Sequence, residues 1–445
     1  MFLLTSLVVF LVSLDVSIAN AVLPAMGASF GHPGRAALSW VLTAYAITFA
    51  AALVPAGRLA DRAGRRRVFR LGILIFGVGS VVCGAAANLP MMLLGRVLQA
   101  VGAASAQPAS LGLLVTAVPV ERRATYVARW GGMGAVGIGL GPSLGGFITA
   151  SSSWRLAFLI NVPLIAVALF YSPRLLVETP RHPGRRIPDP LGAVLLAGTA
   201  AVLTLGISEA STWGVGSPRI IGIIVVGCVL AALFGRRSMR VSDPVLDLRL
   251  LRQRRTALVT IVTVLYSAGF FGLLFSFVLF LTGPWHLSLS QAGIALTPMP
   301  VAAIIVITFV GALSDRVGFR LPLAAGTACM SIGLLVSVVV DRGHTFSPVW
   351  IAVVAFIGFG VGLCYPLLSA AAVADEPAEH LAAVAAVNQC ARQLGAALGI
   401  AATVAAVGPA PSAPVANFHA AWIVCAIFAA AASAAALGLR RPEHG

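Results

Sequence analysis

The sequence of 445 residues contains no lysine, so all 30 of its basic residues are arginine. Charge of either sign is scarce, at 10% of residues, whereas about a quarter of the residues in a typical soluble domain are charged. Hydrophobic residues make up 59% of the chain, and the mean hydropathy is +0.98. This scarcity of charge excludes an ordinary soluble domain and indicates a protein that crosses a membrane many times. Arginine in place of lysine, with abundant alanine and glycine, is typical of a GC-rich genome, and we expect a bacterial protein.

Other missing patterns exclude further classes of function. Without lysine there is no GxxxxGK[ST] loop, which excludes ATP-driven pumping by this chain. The 6 cysteines and 7 histidines show no spacing typical of a disulfide or a metal site, so we expect neither a metal nor a cofactor. The net charge of +16 is divided among short gaps between apolar runs, so we expect no nucleic-acid partner. No segment outside these runs is long enough for an enzyme domain.

The apolar runs predict the fold class. A hydrocarbon core about 30 Å thick needs roughly 20 apolar residues of helix. Fourteen runs approach or reach that length, at 2–23, 38–57, 69–88, 90–114, 125–149, 156–172, 190–208, 219–235, 256–281, 290–313, 321–340, 348–373, 382–408 and 418–439. We therefore predict an all-α membrane protein with fourteen transmembrane helices. The first run contains "IANA", a possible signal-peptide cleavage site, but it lacks the basic region that precedes such a signal; a natural start slightly upstream of Met1 stays open.

The arginines predict the orientation, because short cytoplasmic loops carry the excess of positive charge. If the N-terminus is cytoplasmic, nearly all arginines outside the runs fall in cytoplasmic loops or helix ends. The exceptions are Arg35, Arg155, Arg219 and Arg342. One inside loop, at 375–379, is acidic and runs against the trend. We predict a multi-pass protein of the cell membrane with both termini in the cytoplasm.

The chain repeats one motif. The stretch "GRLADRAGRRRV" at 57–68 and the stretch "GALSDRVGFR" at 311–320 each follow the second run of a six-run set, with runs seven and eight between the sets. Two similar halves are typical of transporters whose repeats rock against each other around a central site. We predict an N-terminal six-helix bundle at 1–172, a linker with two additional helices at 173–255, and a C-terminal six-helix bundle at 256–445.

These stretches resemble the signature motif of the major facilitator superfamily and its degenerate second copy. Six further stretches narrow the resemblance to the fourteen-helix drug:proton antiporter branch. They are "LDVSIANAVLP" at 14–24, "SWVLTAYAI" at 39–47, "LLGRVLQAVGAA" at 93–104, "GIGLGPSLGG" at 137–146, "SWRLAFLINVP" at 153–163 and "DPLGAVLLAG" at 189–198. The resemblance covers nearly the whole chain and implies the major-facilitator fold.

Two embedded charges of the first half are candidates for proton coupling. Asp15 is the only carboxylate well inside an apolar run of that half, and ionisable groups at such depth mark a pathway or a pair by default. Burial disfavours the charged form of a carboxyl group, which would let Asp15 load and release a proton. Its natural partner is Arg96, with Gln99 on the same helical face, and the resemblance implies that Arg96 takes part in proton transfer. A solvated, interfacial Asp15 and a snorkelling Arg96 are the alternatives.

The repeated motif predicts a gate. Gly57 and Gly64 permit close backbone approach and a tight turn, and the arginines at 65–67 suit anchors on the anionic cytoplasmic face. The resemblance implies that Asp61 and Arg62 latch the two halves on the cytoplasmic side while the outside is open, because the aspartate meets a helix N-terminus of the opposite half. The predicted gating residues are Gly57, Asp61, Arg62, Gly64, Asp315 and Arg316.

The fifth run combines glycines with a proline. Small residues let membrane helices approach closely, and a proline removes a backbone hydrogen bond. The spacing GxxxGPxxGG resembles the motif that separates exporters from uptake systems in this superfamily, although Ala128 stands where the motif usually has a further glycine upstream. The motif residues are Gly137, Gly141, Pro142, Gly145 and Gly146.

Polar and aromatic residues within other runs are candidates for the wall of a substrate cavity. Arg392 is either a second coupling or substrate-facing charge or a residue near the cytoplasmic end of its run. The aromatic residues of run nine point around the whole helix, and we expect most of them to face lipid. The cavity candidates are Trp40, Tyr45, Gln99, Phe271, Phe275, Asn388, Gln389 and Arg392.

These features predict a proton-coupled antiporter that exports amphipathic organic compounds by alternating access. We expect its partners to be a small organic substrate, protons and the lipid bilayer, and we expect a monomer. One alternative is proton-coupled uptake of a small metabolite, which the GPxxGG motif disfavours. The other is a membrane sensor without transport activity on the same fold, which the set of Asp15, Arg96 and Asp61 disfavours.

Overall fold

The computed structural model describes residues 1–119, 123–178, 189–214, 216–242, 244–246, 248–340, 347–374, 381–408 and 413–439. Over these residues the regular elements are helical, with one 3₁₀ helix at Leu248–Arg252. The α-helices α1 to α17 are, in chain order, Phe2–Ala21, Leu23–Ser29, Arg35–Ala63, Arg65–Gly84, Leu89–Ala117, Arg123–Ser151, Leu156–Leu159, Asn161–Leu175, Pro190–Trp213, Pro218–Arg240, Arg254–Thr282, Leu289–Leu296, Pro298–Val317, Arg320–Val340, Pro348–Val373, Leu381–Val407 and Val415–Leu437.

The helices provide 14 spans that are long and apolar enough to cross a membrane, which confirms the predicted number. Two spans are interrupted helices: α7 and α8 form one, and α12 and α13 form another. In the first half α4 packs on α5, and α1 packs on α6. In the second half α11 packs on α16, and α13 packs on α15. The additional helix α9 pairs with α10 and also contacts α3 and α16, so it covers the line where the two halves meet.

The predicted runs at 38–57 and 69–88 leave most of the first motif copy between helices, whereas the structure makes it helical almost throughout. Helix α3 continues through Asp61 and Arg62 to Ala63, and α4 begins at Arg65. Only Gly64 separates them, with a φ of 104°, a conformation that favours glycine because it lacks Cβ. Gly318 makes the matching turn in the second half with a φ of 74°. We call the side of the protein with these two turns the arginine-rich side, and the side where α3 and α12 begin the opposite side.

The close approach predicted at Gly57 is not found. A Cβ atom at Gly57 would lie 4.0 Å from the Cβ of Pro108, which is an ordinary van der Waals distance. Space therefore does not require glycine at this position, whereas the backbone conformation does require it at Gly64.

Helix α6 presents small residues to two different neighbours. On one face, a Cβ at Gly137 would lie 3.0 Å from the backbone nitrogen of Leu14, and a Cβ at Gly141 would lie 2.8 Å from that of Ile18. Both contacts are with α1. On another face, a Cβ at Gly139 would lie 2.6 Å from the Cβ of Pro300 in the second half. The glycine-rich motif thus packs α6 tightly against α1 and against the opposite half at once.

Pro142 and α1 are linked by a hydrogen bond. A proline inside a helix cannot donate to the carbonyl four residues earlier, which here is Ile138. The hydroxyl of Ser17 on α1 donates to this Ile138 carbonyl over 2.7 Å. The bond lost at Pro142 is therefore replaced from α1, two residues from Asp15.

We predict that Gly141→Ala destabilises the protein, because the added methyl group would overlap the backbone of α1. Overpacking of this kind costs about 1–3 kcal/mol. The matched control is Gly131→Ala on the same helix, where a Cβ would meet nothing within 4 Å. The control should be neutral or stabilising by about 0.5–1 kcal/mol, since alanine favours helix over glycine. Thermal unfolding of both purified variants in detergent is the measurement, and equal midpoints would contradict the tight α1–α6 packing.

Candidate functional site

Asp15 and Arg96 form a buried ion pair in the middle of the first half. Nη1 of Arg96 donates to Oδ2 of Asp15 over 2.5 Å, and both side chains are 0% exposed. Since neither side chain reaches the surface, neither an interfacial aspartate nor a snorkelling arginine describes this structure. A membrane span tolerates a full charge when an opposite charge is buried beside it, as it is here.

The carboxylate of Asp15 has further donors. Its Oδ1 accepts from Nε2 of Gln99 over 2.7 Å and from Nδ2 of Asn161 over 3.0 Å. Nε2 of Gln99 also donates to the hydroxyl of Ser80 over 2.9 Å. We call these five side chains, Asp15, Ser80, Arg96, Gln99 and Asn161, the Asp15 network.

Helices α1, α4, α5 and α8 supply the Asp15 network, and glycine brings two of them together. A Cβ at Gly79 would lie 2.6 Å from the backbone nitrogen of Gln99. The absence of a side chain at Gly79 therefore lets α4 and α5 approach closely, which places Ser80 within reach of Gln99.

Arg96 is held by the backbone and by aromatic rings as well. Its Nε donates to the carbonyl of Val41 on α3 over 2.8 Å, and its Nη1 donates to Oε1 of Gln99 over 2.8 Å. The guanidinium carbon lies 4.3 Å from the centre of the Tyr45 ring and 6.0 Å from that of Phe158. These cation–π contacts stabilise the charge where water is excluded.

The Asp15 network has unused hydrogen-bonding capacity. Within the described part of the chain, Nη2 of Arg96, the hydroxyl of Tyr45 and Oδ1 of Asn161 are buried and have no partner. A buried polar atom without a partner costs free energy and is an exception in folded proteins. These three atoms can form new hydrogen bonds. The network around the ion pair can therefore exchange partners or admit a proton or a water molecule.

Sequence reasoning found three members of the Asp15 network and missed two. Asn161 lies in the "INVP" stretch, and its amide inside an apolar run was a usable signal. Ser80 gave no signal, because serine is common in membrane helices and bonds there to its own helix, as it does here to the Phe76 carbonyl over 3.0 Å. Tyr45, a candidate for the substrate cavity, instead stacks on Arg96.

Of the gating residues on the arginine-rich side, Asp61 pairs with an arginine of its own half. Oδ1 of Asp61 accepts from Nη2 of Arg65 over 3.1 Å, and Nη1 of Arg65 donates to the Gly112 carbonyl over 3.0 Å. Arg62 and Arg316 are exposed. The side chain of Asp315 lies outside the described residues.

The remaining cavity candidates divide into several groups. Trp40 is half-buried and packs against the small cluster of Ala46, Ile47 and Ala397. Phe271 and Phe275 are buried, as are the other aromatic residues of α11, so the expectation that most of them face lipid is wrong. Gln389 is half-buried, and Nδ2 of Asn388 donates to the Thr263 hydroxyl over 2.7 Å. Arg392 is 5% exposed and donates from Nη2 to the Ser369 hydroxyl over 2.8 Å.

A small cavity separates the two halves next to α6. Its volume is about 40 Å³. Gly139 and Pro142 of the glycine-rich motif line it from the first half, and Phe270, Pro300 and Tyr365 line it from the second. Phe270 is therefore the aromatic residue of α11 at this cavity, in place of the predicted Phe271 and Phe275.

Among the described residues, three hydrogen bonds join the halves on the opposite side. The hydroxyl oxygens of Ser143 and Thr297 lie 2.8 Å apart, and Ser290 donates to the Gly146 carbonyl over 3.0 Å. Nη1 of Arg35 donates to the Gly408 carbonyl over 3.0 Å. The halves are thus in direct contact at this end of the molecule.

The family follows from comparison of the whole chain with known families. The model of the Major Facilitator Superfamily matches residues 5–236 and 259–445. The chain belongs to the Major Facilitator Superfamily. This confirms the resemblance of the signature motifs and the predicted all-α membrane fold, and the family is one of transporters rather than enzymes. Within the described residues no group of three or more His, Cys, Asp or Glu side chains is placed to hold a metal ion.

Several relatives of this superfamily member have names that refer to drugs. The multidrug resistance protein Stp of Mycobacterium tuberculosis is 31% identical over 400 residues, which are 89% of this chain and 73% of that protein. The tetracenomycin C resistance and export protein of Streptomyces glaucescens is 28% identical over 88% of this chain and 73% of its own length. The lincomycin resistance protein of Streptomyces lincolnensis is 30% identical, over 88% and 80%.

Solved structures of other superfamily members share the fold. The xylose transporter XylE from E. coli, in a partially occluded inward open conformation, matches with a TM-score of 0.69 and 13% identity over 100% of this chain and 98% of that one. A POT family transporter in complex with 5-aminolevulinic acid matches with a TM-score of 0.69 and 15% identity, over 97% and 94%. At these identities the likeness concerns the fold alone.

We predict that Asp15 and Arg96 stabilise each other, so that removing one charge leaves the other uncompensated. Asp15→Asn leaves the Arg96 charge without an anion, which costs about 3–5 kcal/mol for a buried pair. The double variant Asp15→Asn with Arg96→Met removes both charges, so its loss should be smaller than the sum of the two single losses. Thermal unfolding of the wild type, both single variants and the double variant in detergent measures the coupling. Strictly additive losses would show that the two side chains do not stabilise each other.

Proposed function

We propose that this superfamily member is a proton-coupled antiporter that exports amphipathic organic compounds from a bacterial cell by alternating access. The observation that carries the proposal is the fully buried Asp15 with its partners Arg96, Gln99 and Asn161. A carboxyl group in this position can exchange a proton only when the surrounding helices move, and that requirement is what couples proton transfer to a conformational change. The names of the relatives, which refer to multidrug resistance and antibiotic export, support the class of substrate.

The proton step can be described from the contacts of Asp15. In the outward-open state Asp15 takes a proton, which removes the anion that holds Arg96. Nη1 of Arg96 already donates to Gln99, and its guanidinium already rests on Tyr45, so the cation keeps partners when the carboxyl is neutral. In the inward-open state Asp15 releases the proton and pairs with Arg96 again. The substrate must bind the two states with different affinities, since equal affinity would shift no equilibrium.

Alternating access requires the two halves to part and to close in turn. The cavity of about 40 Å³ is far smaller than the 300–1,000 Å³ typical of ligand pockets, so the halves must separate before a drug-sized molecule can bind. The hydrogen bonds between the halves on the opposite side support a state that is closed to the outside. We infer that Asp61, which pairs with Arg65 in this state, latches the two halves on the cytoplasmic side while the outside is open.

The arginine distribution supports the orientation of the protein in the membrane, and the glycine-rich motif of α6 supports coupling between the halves. The arginine-rich side is cytoplasmic, as are both termini. The glycine-rich motif packs α6 against α1 and the second half together, so a movement of the second half reaches the helix that carries Asp15. The functional unit is one chain in the lipid bilayer, and its partners are the organic substrate and protons.

We predict that a transported compound releases protons from inverted membrane vesicles through Asp15. Compounds of a panel of hydrophobic antibiotics and dyes are added to energised vesicles, and the collapse of the interior acidity is followed with a pH-sensitive dye. Asp15→Asn should abolish the release, because an amide carries no exchangeable acidic proton, whereas Asp15→Glu should retain part of it. Ser80→Ala is the matched control, because it removes a member of the Asp15 network that has no acidic proton.

The outcomes distinguish three cases. Release that is lost in Asp15→Asn and kept in Asp15→Glu and Ser80→Ala supports antiport through Asp15. Normal release in Asp15→Asn would show that another group carries the proton. If cells accumulate a compound instead of extruding it, the protein takes compounds up and does not export them.

We predict that a reversible cross-link across the opposite side blocks transport. Ser143→Cys with Thr297→Cys places two thiols where the hydroxyl oxygens lie 2.8 Å apart in different halves. Oxidation should stop efflux and a reducing agent should restore it, because the outside must open in every cycle. Each single cysteine variant under the same oxidant is the control. Full activity of the cross-linked protein would mean that these halves do not part.

A further inference from the structure

Arg392 carries a buried charge that no carboxylate of a described residue neutralises. Its side chain is 5% exposed in the middle of α16. Its contacts are the Ser369 hydroxyl, 2.8 Å from Nη2, and the ring of Tyr365, whose centre lies 4.4 Å from the guanidinium carbon. No carboxylate oxygen of a described residue lies within 4.0 Å of it, and its Nε is buried without a partner.

The contrast with Arg96 shows what is missing. Arg96 is equally buried, but it has the carboxylate of Asp15 at 2.5 Å. A hydroxyl and an aromatic ring reduce the cost of burying a guanidinium, but they do not supply a compensating negative charge. An anionic ligand would therefore supply the charge that no described carboxylate provides to Arg392.

The surroundings of Arg392 connect it to the cavity between the halves. Tyr365, on which the guanidinium rests, lines that cavity. Tyr266 lies within electrostatic reach of Arg392, and its hydroxyl is buried without a partner in the described part of the chain. The ring of Tyr266 stacks on Phe270 with centres 5.8 Å apart, and Phe270 lines the same cavity. An unneutralised cation and an unpartnered hydroxyl thus lie directly behind an aromatic cavity wall.

We propose that Arg392 and Tyr266 form a subsite for the anionic group of the substrate, a carboxylate or an ionised phenol on an aromatic skeleton. Nε of Arg392 and the hydroxyl of Tyr266 donate to the anion, which gives both unpartnered groups a hydrogen bond. The rings of Tyr365 and Phe270 face the aromatic part of the substrate. This inference rests on the proposed function, and it makes export of an anion electrically favourable in a cell whose interior is negative.

Binding of two dyes with the same ring system tests the subsite. Fluorescein is an anion at pH 8 and rhodamine 123 is a cation, and both have a xanthene skeleton. The purified full-length protein in detergent is titrated into each dye, and the fluorescence anisotropy is followed. Loss of charge-assisted hydrogen bonds to the anion should weaken fluorescein binding to Arg392→Gln by about tenfold or more, with rhodamine 123 changed by less than about twofold. Arg392→Lys should lie between wild type and Arg392→Gln, because lysine keeps the charge without the planar fork.

The matched control is Arg155→Gln. Arg155 also rests on an aromatic ring, that of Trp154 at 4.5 Å, and it donates to the Ala86 carbonyl, but it lies in the first half at the opposite side. This variant should bind both dyes as the wild type does. Tyr266→Phe should weaken fluorescein binding by about threefold or more, since it removes the second donor without changing the charge.

The results for this subsite and for antiport are separable. Equal weakening of both dyes in Arg392→Gln, no weakening of either, or a wild type that does not bind fluorescein would overturn the anionic subsite. Proton release from vesicles in response to neutral antibiotics, unchanged in Arg392→Gln and absent in Asp15→Asn, would then still support antiport. Conversely, fluorescein binding that depends on Arg392, without any proton release, would support the subsite and contradict the proposed proton coupling.

Discussion

The structure depends above all on how a buried charge is compensated where water is excluded. Arg96 can lie at the centre of the first half because Asp15 provides the opposite charge, Val41 a carbonyl and Tyr45 an aromatic face. Each of these groups belongs to a different helix from Arg96 itself. Because a charge inside a membrane span is so costly without partners, this one requirement determines how α1, α3 and α5 are arranged around each other.

The same helix that carries Asp15 also forms a hydrogen bond to α6 next to Pro142. Ser17 replaces the hydrogen bond that Pro142 cannot make, and glycines on two faces of α6 admit α1 on one side and the second half on another. A packed interface of small residues is not continuously deformable, so a change on one face of α6 is transmitted to the other. In the proposed cycle this is how movement between the halves reaches the proton site.

The two halves share a fold but differ in their buried charges. The first half pairs its cation with a carboxylate and surrounds both with amides, an arrangement suited to exchanging a proton. In the second half no described carboxylate pairs with Arg392, which lies beside a cavity wall of aromatic rings, an arrangement suited to receiving a ligand. Proton and substrate would then act on separate halves, and only the movement between them would couple the two. Such coupling requires no direct contact between proton and substrate.

The sequence by itself determined the membrane fold, the number of spans and the family, because long apolar runs can only be satisfied as membrane helices and the signature motifs are local. It also indicated the pair of Asp15 and Arg96, since charges are rare enough in these runs that two of them predict each other. Only the tertiary structure decided that Ser80 and Asn161 join that pair, that Asp61 pairs with Arg65, and that Phe270 rather than Phe271 or Phe275 lines the cavity. These features depend on which face each helix turns to its neighbours, and an almost uniformly apolar helix carries little sequence information about its rotation.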